Sequence, residues 1–247
     1  MIKPLIPGTE QEAELSFSQK LTIKAANGYA KLLWEKKFQK TPEQAEDNYV
    51  LAIVQEVYNH PSDRQKVIGN RKLDEKFNEL FHAVYVHMDQ ELIIICYRGT
   101  DFTNLKDLFS DIQIVLGINV IDVRVKESRN FYDKVTITYP QHKKRVTGHS
   151  LGGTISYLVT KHRNPERCIV FNPGAGPTKG FISMMQDTLF KKPRTKKITT
   201  YRILGDPVST LAFVGNIKTF LLKTVDPMKL HGIASFTELL NWEQGSA

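Results

Sequence analysis

The run LIIICY, residues 92 to 97, is apolar at every position, which excludes most of the ways a short strand can be placed. A strand with one face in water alternates apolar and polar residues; one that is apolar throughout is buried on both faces. A sheet built around such a strand needs helices on both sides and favours parallel strands joined by helical crossovers. The flanking sequence follows that plan. FHAVYVHM, from Phe81, alternates and leads through Asp89-Gln90 into LIIICY as a hairpin-like pair. Further short strands are expected at 145 to 148, 167 to 172 and 198 to 204, with helical periodicity around 122 to 135 and 151 to 162. Before them, Leu15, Ile23, Ala26, Ala30, Leu33 and Trp34 recur at helical spacing. After Pro42 come Ala45, Tyr49, Ala52, Ile53 and Val57. No repeat or long linker interrupts the chain. With 247 residues, 41% of them hydrophobic, one large core can form. The expectation is a single α/β domain over 1–247, with residues 1–75 a helical N-terminal part packed on it.

At the centre of KRVTGHSLGGTISY, residues 144 to 157, stands Gly148-His149-Ser150-Leu151-Gly152. Gly-x-Ser-x-Gly alone is weak, arising by chance in about one chain of this length in twenty. Its setting is more specific. Val146-Thr147 reads as the end of a strand, and Leu151, Ile155, Leu158 and Val159 lie along one helical stripe after it. Strand, tight turn and helix are the setting of a nucleophile elbow, where the glycines let strand and helix approach and hold the serine exposed. Without partners, the same pattern is a glycine-rich turn or a phosphate cradle.

A serine hydroxyl needs a base to take its proton, and the base needs a carboxylate to orient it. After such an elbow the acid comes first and the histidine last. Asp187, Asp206 and Asp226 follow Ser150. Asp206 is preferred: it lies in RILGDPVS just beyond an expected strand, where Gly205 allows a bend and Pro207 favours an extended aspartate. Asp226 also precedes a proline, but no strand leads directly into it. His231 is the only histidine after Asp206. His149 adjoins the serine and cannot easily turn its ring onto that hydroxyl. Donors for a developing oxyanion are expected from the N–H of Leu151 and from a loop after an earlier strand. Thr100, after Gly99 in YRGTD, offers an N–H and a hydroxyl, although Arg98-Gly99-Thr100 in isolation reads as a strand-ending turn.

Taken in order, YRGTDFTNLKDLFSDI, VTGHSLGG, FNPGAG and RILGDPVS resemble the class 3 lipase family, the α/β-hydrolases related to fungal triacylglycerol lipases. The resemblance covers about residues 80 to 235. It implies an α/β-hydrolase fold, Ser150 as nucleophile, Asp206 as acid, His231 as base, and Thr100 with Leu151 as oxyanion hole. It implies a lipid ester substrate, and no metal or organic cofactor. Two features depart from the fungal lipases. Asp206 and His231 are only 25 residues apart, and about 75 N-terminal residues carry no recognised motif.

In DFTNLKDLFSDIQ, Phe102, Leu105, Leu108, Phe109 and Ile112 line one helical face; such a helix packs on the core or, as the resemblance implies, forms a lid over residues 101–113. LAFVGNIKTFLL, 211 to 222, is either an ordinary buried element or the wall of an acyl pocket. Cys96 and Cys168 lie in apolar runs and read as reduced core thiols. The net charge of +8 is concentrated in HKKR (142 to 145) and KKPRTKK (191 to 197). These read first as solvated loops and second as an attraction to an anionic membrane surface. Nucleic acid is disfavoured, because no recognition motif accompanies the charge. With no signal-peptide pattern and no apolar run of about 18 residues, an intracellular protein is expected. The alternative to a lipid esterase is a hydrolase-fold interaction or structural module without turnover that docks on membranes or protein partners.

Overall fold

The computed structural model describes residues 42–100, 118–174, 186, 190, 193–206, 208–209, 214–222, 224 and 226–241, with the backbone alone at 42–45, 118–121, 193–194, 227 and 238–241. Two units are distinguished, Met1–Glu43 and Gln44–Ala247, and the sheet and its helical layers belong to the second. The helical stripe at 12–38 and its packing, and the lid segment 101–113, lie outside the described residues.

In chain order the elements are α1 (Pro42–Glu56), β1 (Val67–Ile68), β2 (Arg71–Asn78), β3 (His82–His87), β4 (Leu92–Tyr97), α2 (Ile118–Thr138), β5 (Lys143–His149), α3 (Leu151–Arg163), β6 (Arg167–Phe171), β7 (Ile198–Ile203), β8 (Asn216–Phe220), α4 (Pro227–His231) and α5 (Ala234–Asn241). The strands form one sheet in sequential order. β1 to β4 are antiparallel neighbours joined by short turns. From β4 to β8 every pairing is parallel, which requires a crossover between strands. Among the described residues no helix is long and apolar enough to cross a membrane.

The uninterrupted apolar strands divide their side chains between two cores. Ile93, Ile95, Tyr97, Val146, Cys168 and Val170 face α2 and α3, where Val125, Phe131, Val135, Ile155 and Val159 pack. Ile94, Cys96, Ile169 and Phe171 face the other way, against Val50, Ile53 and Val54 of α1, Val57 just after it and Phe236 of α5. All six residues of β4 are buried. Cys96 and Cys168 are unpaired and buried; they belong to opposite cores, with β5 between their strands. Burial pushes the Cys168 thiol up to about 12. α3 stops at Asn164, which takes a left-handed conformation and donates its N–H to the Thr160 carbonyl, ahead of Pro165.

Three expectations are corrected. Residues 67–75, assigned to the helical N-terminal part, form β1 and the first half of β2, whose buried Arg71, Leu73 and Phe77 alternate with polar, more exposed positions. Tyr49, assigned to the apolar stripe of α1, is exposed, with the Arg71 guanidinium 4.3 Å from its ring centroid; Val50, Leu51 and Val54 take the buried face. The run at 142–145 is not a loop: from Lys143 it opens β5, and Arg145 pairs with Glu46 at 3.1 Å and Glu166 at 3.2 Å.

Asp47 ties α1 to the sheet. Its fully buried carboxylate meets Arg167 at 2.8 Å, accepts the Tyr201 hydroxyl at 2.5 Å and has Lys218 at 3.8 Å. Burial pushes this carboxyl up, and Arg167 is the main opposing influence. Asp47→Ala leaves Arg167 without that carboxylate and is expected to destabilise the fold by about 3–5 kcal/mol, measured by urea unfolding.

Candidate active site

Ser150 occupies the turn between β5 and α3 with φ 56° and ψ −126°. A non-glycine residue at positive φ is strained, and such strain persists where the surroundings over-determine it. Here they do. The Ser150 N–H donates to Phe171 O at 3.1 Å, and its carbonyl accepts from Thr154 N at 3.2 Å and Gly174 N at 3.1 Å. A serine before a helix ordinarily caps it with its hydroxyl, but this one makes no such bond. The glycines permit the crossing. A Cβ on Gly152 would lie 2.0 Å from the Tyr97 carbonyl oxygen, and one on Gly148 would lie 2.4 Å from the backbone of Gly152.

The free hydroxyl meets an imidazole. His231 Nε2 lies 2.9 Å from Ser150 Oγ, and His231 Nδ1 lies 3.1 Å from each carboxylate oxygen of Asp206. The carboxylate accepts, so Nδ1 carries the proton and the bare Nε2 accepts from the serine. Asp206, fully buried, follows Gly205 at φ 88°. It also accepts the backbone N–H of Val208 at 3.0 Å and of Ser209 at 3.1 Å. Asp226 is engaged elsewhere, capping α4 by accepting from Met228 N at 2.9 Å. Asp187 lies outside the described residues. Ser150, Asp206 and His231, far apart in sequence, are thus hydrogen-bonded in one buried row.

No protein-family model matches the chain, and no curated protein matches it in sequence. Among solved structures it is similar to the Lip2 lipase of Yarrowia lipolytica, at 16% identity over 72% of this chain and 80% of that one, with a TM-score of 0.50. The nonglycosylated form of that lipase gives 17% identity over 74% and 81%, also at 0.50. The chain has the α/β-hydrolase fold of fungal lipases. In this hydrolase fold the order nucleophile, acid, histidine is the order of 150, 206 and 231.

Of the two expected oxyanion donors, Leu151 is the first residue of α3, where a helix leaves its N–H groups without intrahelical partners. Thr100 follows Gly99, whose hypothetical Cβ would lie 3.3 Å from Ser150 Cβ and 2.6 Å from His149 O, so the loop after β4 runs directly beside the elbow. Arg124 donates to the Arg98 carbonyl at 2.8 Å from α2. Of the segment 211–222 expected to line an acyl pocket, 216–220 form β8 and 211–213 lie outside the described residues.

Two further residues reach the site. His149 turns away from Ser150 as expected, and its Nε2 lies 2.7 Å from the His231 carbonyl. Asn172, in FNPGAG, donates to the same carbonyl at 3.1 Å. The adjacency of His149 to the serine was the only sequence signal for the first; the second had none beyond its motif. Burial, and secondarily His231, lowers the pKa of His149 from 6.5 to about 3.

Gly152→Ala is expected to destabilise the protein by about 3 kcal/mol or more, since backbone and not a movable side chain blocks the methyl; thermal unfolding reads it. Between about pH 6.5 and 3 the unfolded chain binds a proton at residue 149 that the folded chain does not. The free energy of unfolding therefore rises with pH across that window, and drops as the pH is lowered through it, by up to about 1.4 kcal/mol per unit from this group. Urea midpoints at successive pH values should show this slope, reduced in His149→Gln.

Proposed function

We propose that the chain is a serine hydrolase that cleaves carboxylic esters of lipids through an acyl-enzyme on Ser150. The observation that carries this reading is the single hydrogen-bonded row from Ser150 Oγ through His231 to Asp206, at 2.9 and 3.1 Å. His231 Nε2 takes the hydroxyl proton as Oγ attacks the ester carbonyl, and Asp206 stabilises the imidazolium that forms. The tetrahedral oxyanion is held by the N–H of Leu151 and by Thr100. On collapse, His231 returns the proton to the departing alcohol and the acyl-enzyme remains. Water, deprotonated by the same nitrogen, then attacks it, and the fatty acid and the serine hydroxyl are released.

The lipid class rests on two supports. The similar solved structures are named lipases. Exposed Leu80, Phe81, Leu204 and Leu221 lie at the carboxyl edge of the parallel strands, where Ser150 also sits: Leu204 and Leu221 directly follow β7 and β8, and Leu80-Phe81 precede β3 beside the end of β4. Apolar side chains around a site suit an apolar substrate or a lipid surface.

A fluorophosphonate probe is expected to label the wild type at Ser150, and Ser150→Ala to abolish labelling. The same substitution is expected to lower hydrolysis of short-chain nitrophenyl esters by at least about 1000-fold, with Asp206→Asn losing about 10000-fold in kcat. Hydrolysis by Ser150→Ala at the wild-type rate sinks the nucleophile assignment, and a folded wild type that neither labels nor hydrolyses points to an interaction module. Triacylglycerol, diacylglycerol and phospholipid substrates, presented with and without an interface, identify the head group.

A further inference from the structure

His231 ends a helix of only five residues, Pro227–His231. A helix that short is not stable on its own, and its last carbonyls have no intrahelical donors. The Leu230 and His231 residues are buried, so these carbonyls need partners from elsewhere in the protein. The Asn172 amide supplies two donors, to Leu230 O at 2.9 Å and His231 O at 3.1 Å. His149 Nε2 supplies another to His231 O at 2.7 Å.

A carbonyl only accepts, so His149 Nε2 carries a hydrogen. Burial holds the pKa of this ring low and keeps it neutral, so Nδ1 is bare and accepts from the Tyr58 hydroxyl at 2.8 Å. The neutral ring is thus paired at both nitrogens. It packs against the His231 ring at 4.8 Å between centroids, where a second positive charge would oppose formation of the imidazolium. Asn172 reaches further. Its Oδ1 accepts from Ile203 N at 2.9 Å and Ser209 Oγ at 3.2 Å, and Ser209 N donates to Asp206. One side chain therefore joins the turn that carries the acid to the helix that carries the base. Its backbone sits at φ 38°, a strained conformation of the kind that persists where position matters.

We infer that His149 and Asn172 are positioning residues, which grip the backbone carbonyl of His231 and thereby hold its imidazole between Ser150 and Asp206. This rests on the hydrolase reading above. Misplacement of a catalytic group by about 1 Å costs about 100-fold in rate, so the effect is on turnover and not on substrate affinity.

The test compares wild type, His149→Leu, His149→Gln and Asn172→Asp, each checked for folding by circular dichroism. The readouts are the rate of fluorophosphonate labelling of Ser150, kcat and KM on a soluble nitrophenyl ester, and the downfield proton resonance of His231 Nδ1–H. His149→Leu, which loses the donor, and Asn172→Asp, which keeps the shape but loses both donors, are expected to lower labelling and kcat by about 10- to 100-fold. KM should stay within about twofold, and the resonance should broaden or vanish. His149→Gln, whose amide nitrogen can replace Nε2, is expected to recover most of the loss. Folded His149→Leu and Asn172→Asp with wild-type rates and an intact resonance overturn the clamp and leave the hydrolase reading standing. Absence of labelling and hydrolysis in the wild type overturns the hydrolase reading instead; the resonance, which needs no turnover, then decides the clamp, and its survival in His149→Leu overturns it.

Discussion

The tightest approach at any glycine among the described residues is the passage of α3 over the end of β4, where Gly152 lies against the Tyr97 carbonyl with no room for a methyl group. That contact brings the first turn of the helix onto the sheet edge, and the chain entering the turn must reverse sharply. Ser150 absorbs the reversal by adopting φ 56°. The same approach sets the N-terminus of α3 beside the Arg98–Thr100 loop. Gly99 is confined there by the Tyr58 hydroxyl, the His149 carbonyl and the Ser150 side chain. Ser150, the helix N-terminus and the loop after β4 are thus brought together by one close packing of backbone on backbone. Asp206 and His231 come in from later segments and are fitted around it.

Much of this was legible in the residues. LIIICY and RCIVF read as strands buried on two sides, because nearly every side chain is apolar whichever face it takes, and those side chains do divide between two cores. The tight strand-to-helix turn at Ser150 was legible for the same local reason, since glycine spacing and the helical stripe after Ser150 are properties of one short segment. The sheet margins were not legible. β2 carries six charged or polar side chains in RKLDEKFN, and β8 is an edge strand with no fully buried residue; an edge strand needs little apolar pattern and is protected by polar side chains. Tyr49 misled because an aromatic at helical spacing can lie under a guanidinium as well as in a core. Asp226 and Asp206 both precede a proline, and only the strand leading into Asp206 told them apart in the sequence; what their carboxylates meet was not readable there. His149 illustrates the limit best. Sequence adjacency excluded it as the base, but its partner is a carbonyl 82 residues away, and no local pattern records such a contact.

The eight strands of the described residues follow one another across the sheet in the order in which they occur along the chain. During synthesis, each new strand can therefore dock on the exposed margin of the strand made just before it, without waiting for a later segment to be inserted between them. The sheet can grow outward from one side, in step with the emerging chain. Assembly in that order leaves an open strand margin at every stage, and β8, at the end of the order, presents one that carries Asn216, Lys218 and Thr219 in place of an apolar row. Ser150 would be shaped early, when α3 meets β4. Its partners come later: Asp206 after β7, and His231 only with α4, beyond the last strand. A nascent chain would carry a formed but unpartnered serine for the time taken to make about 80 residues, roughly 4–16 s at common rates of synthesis.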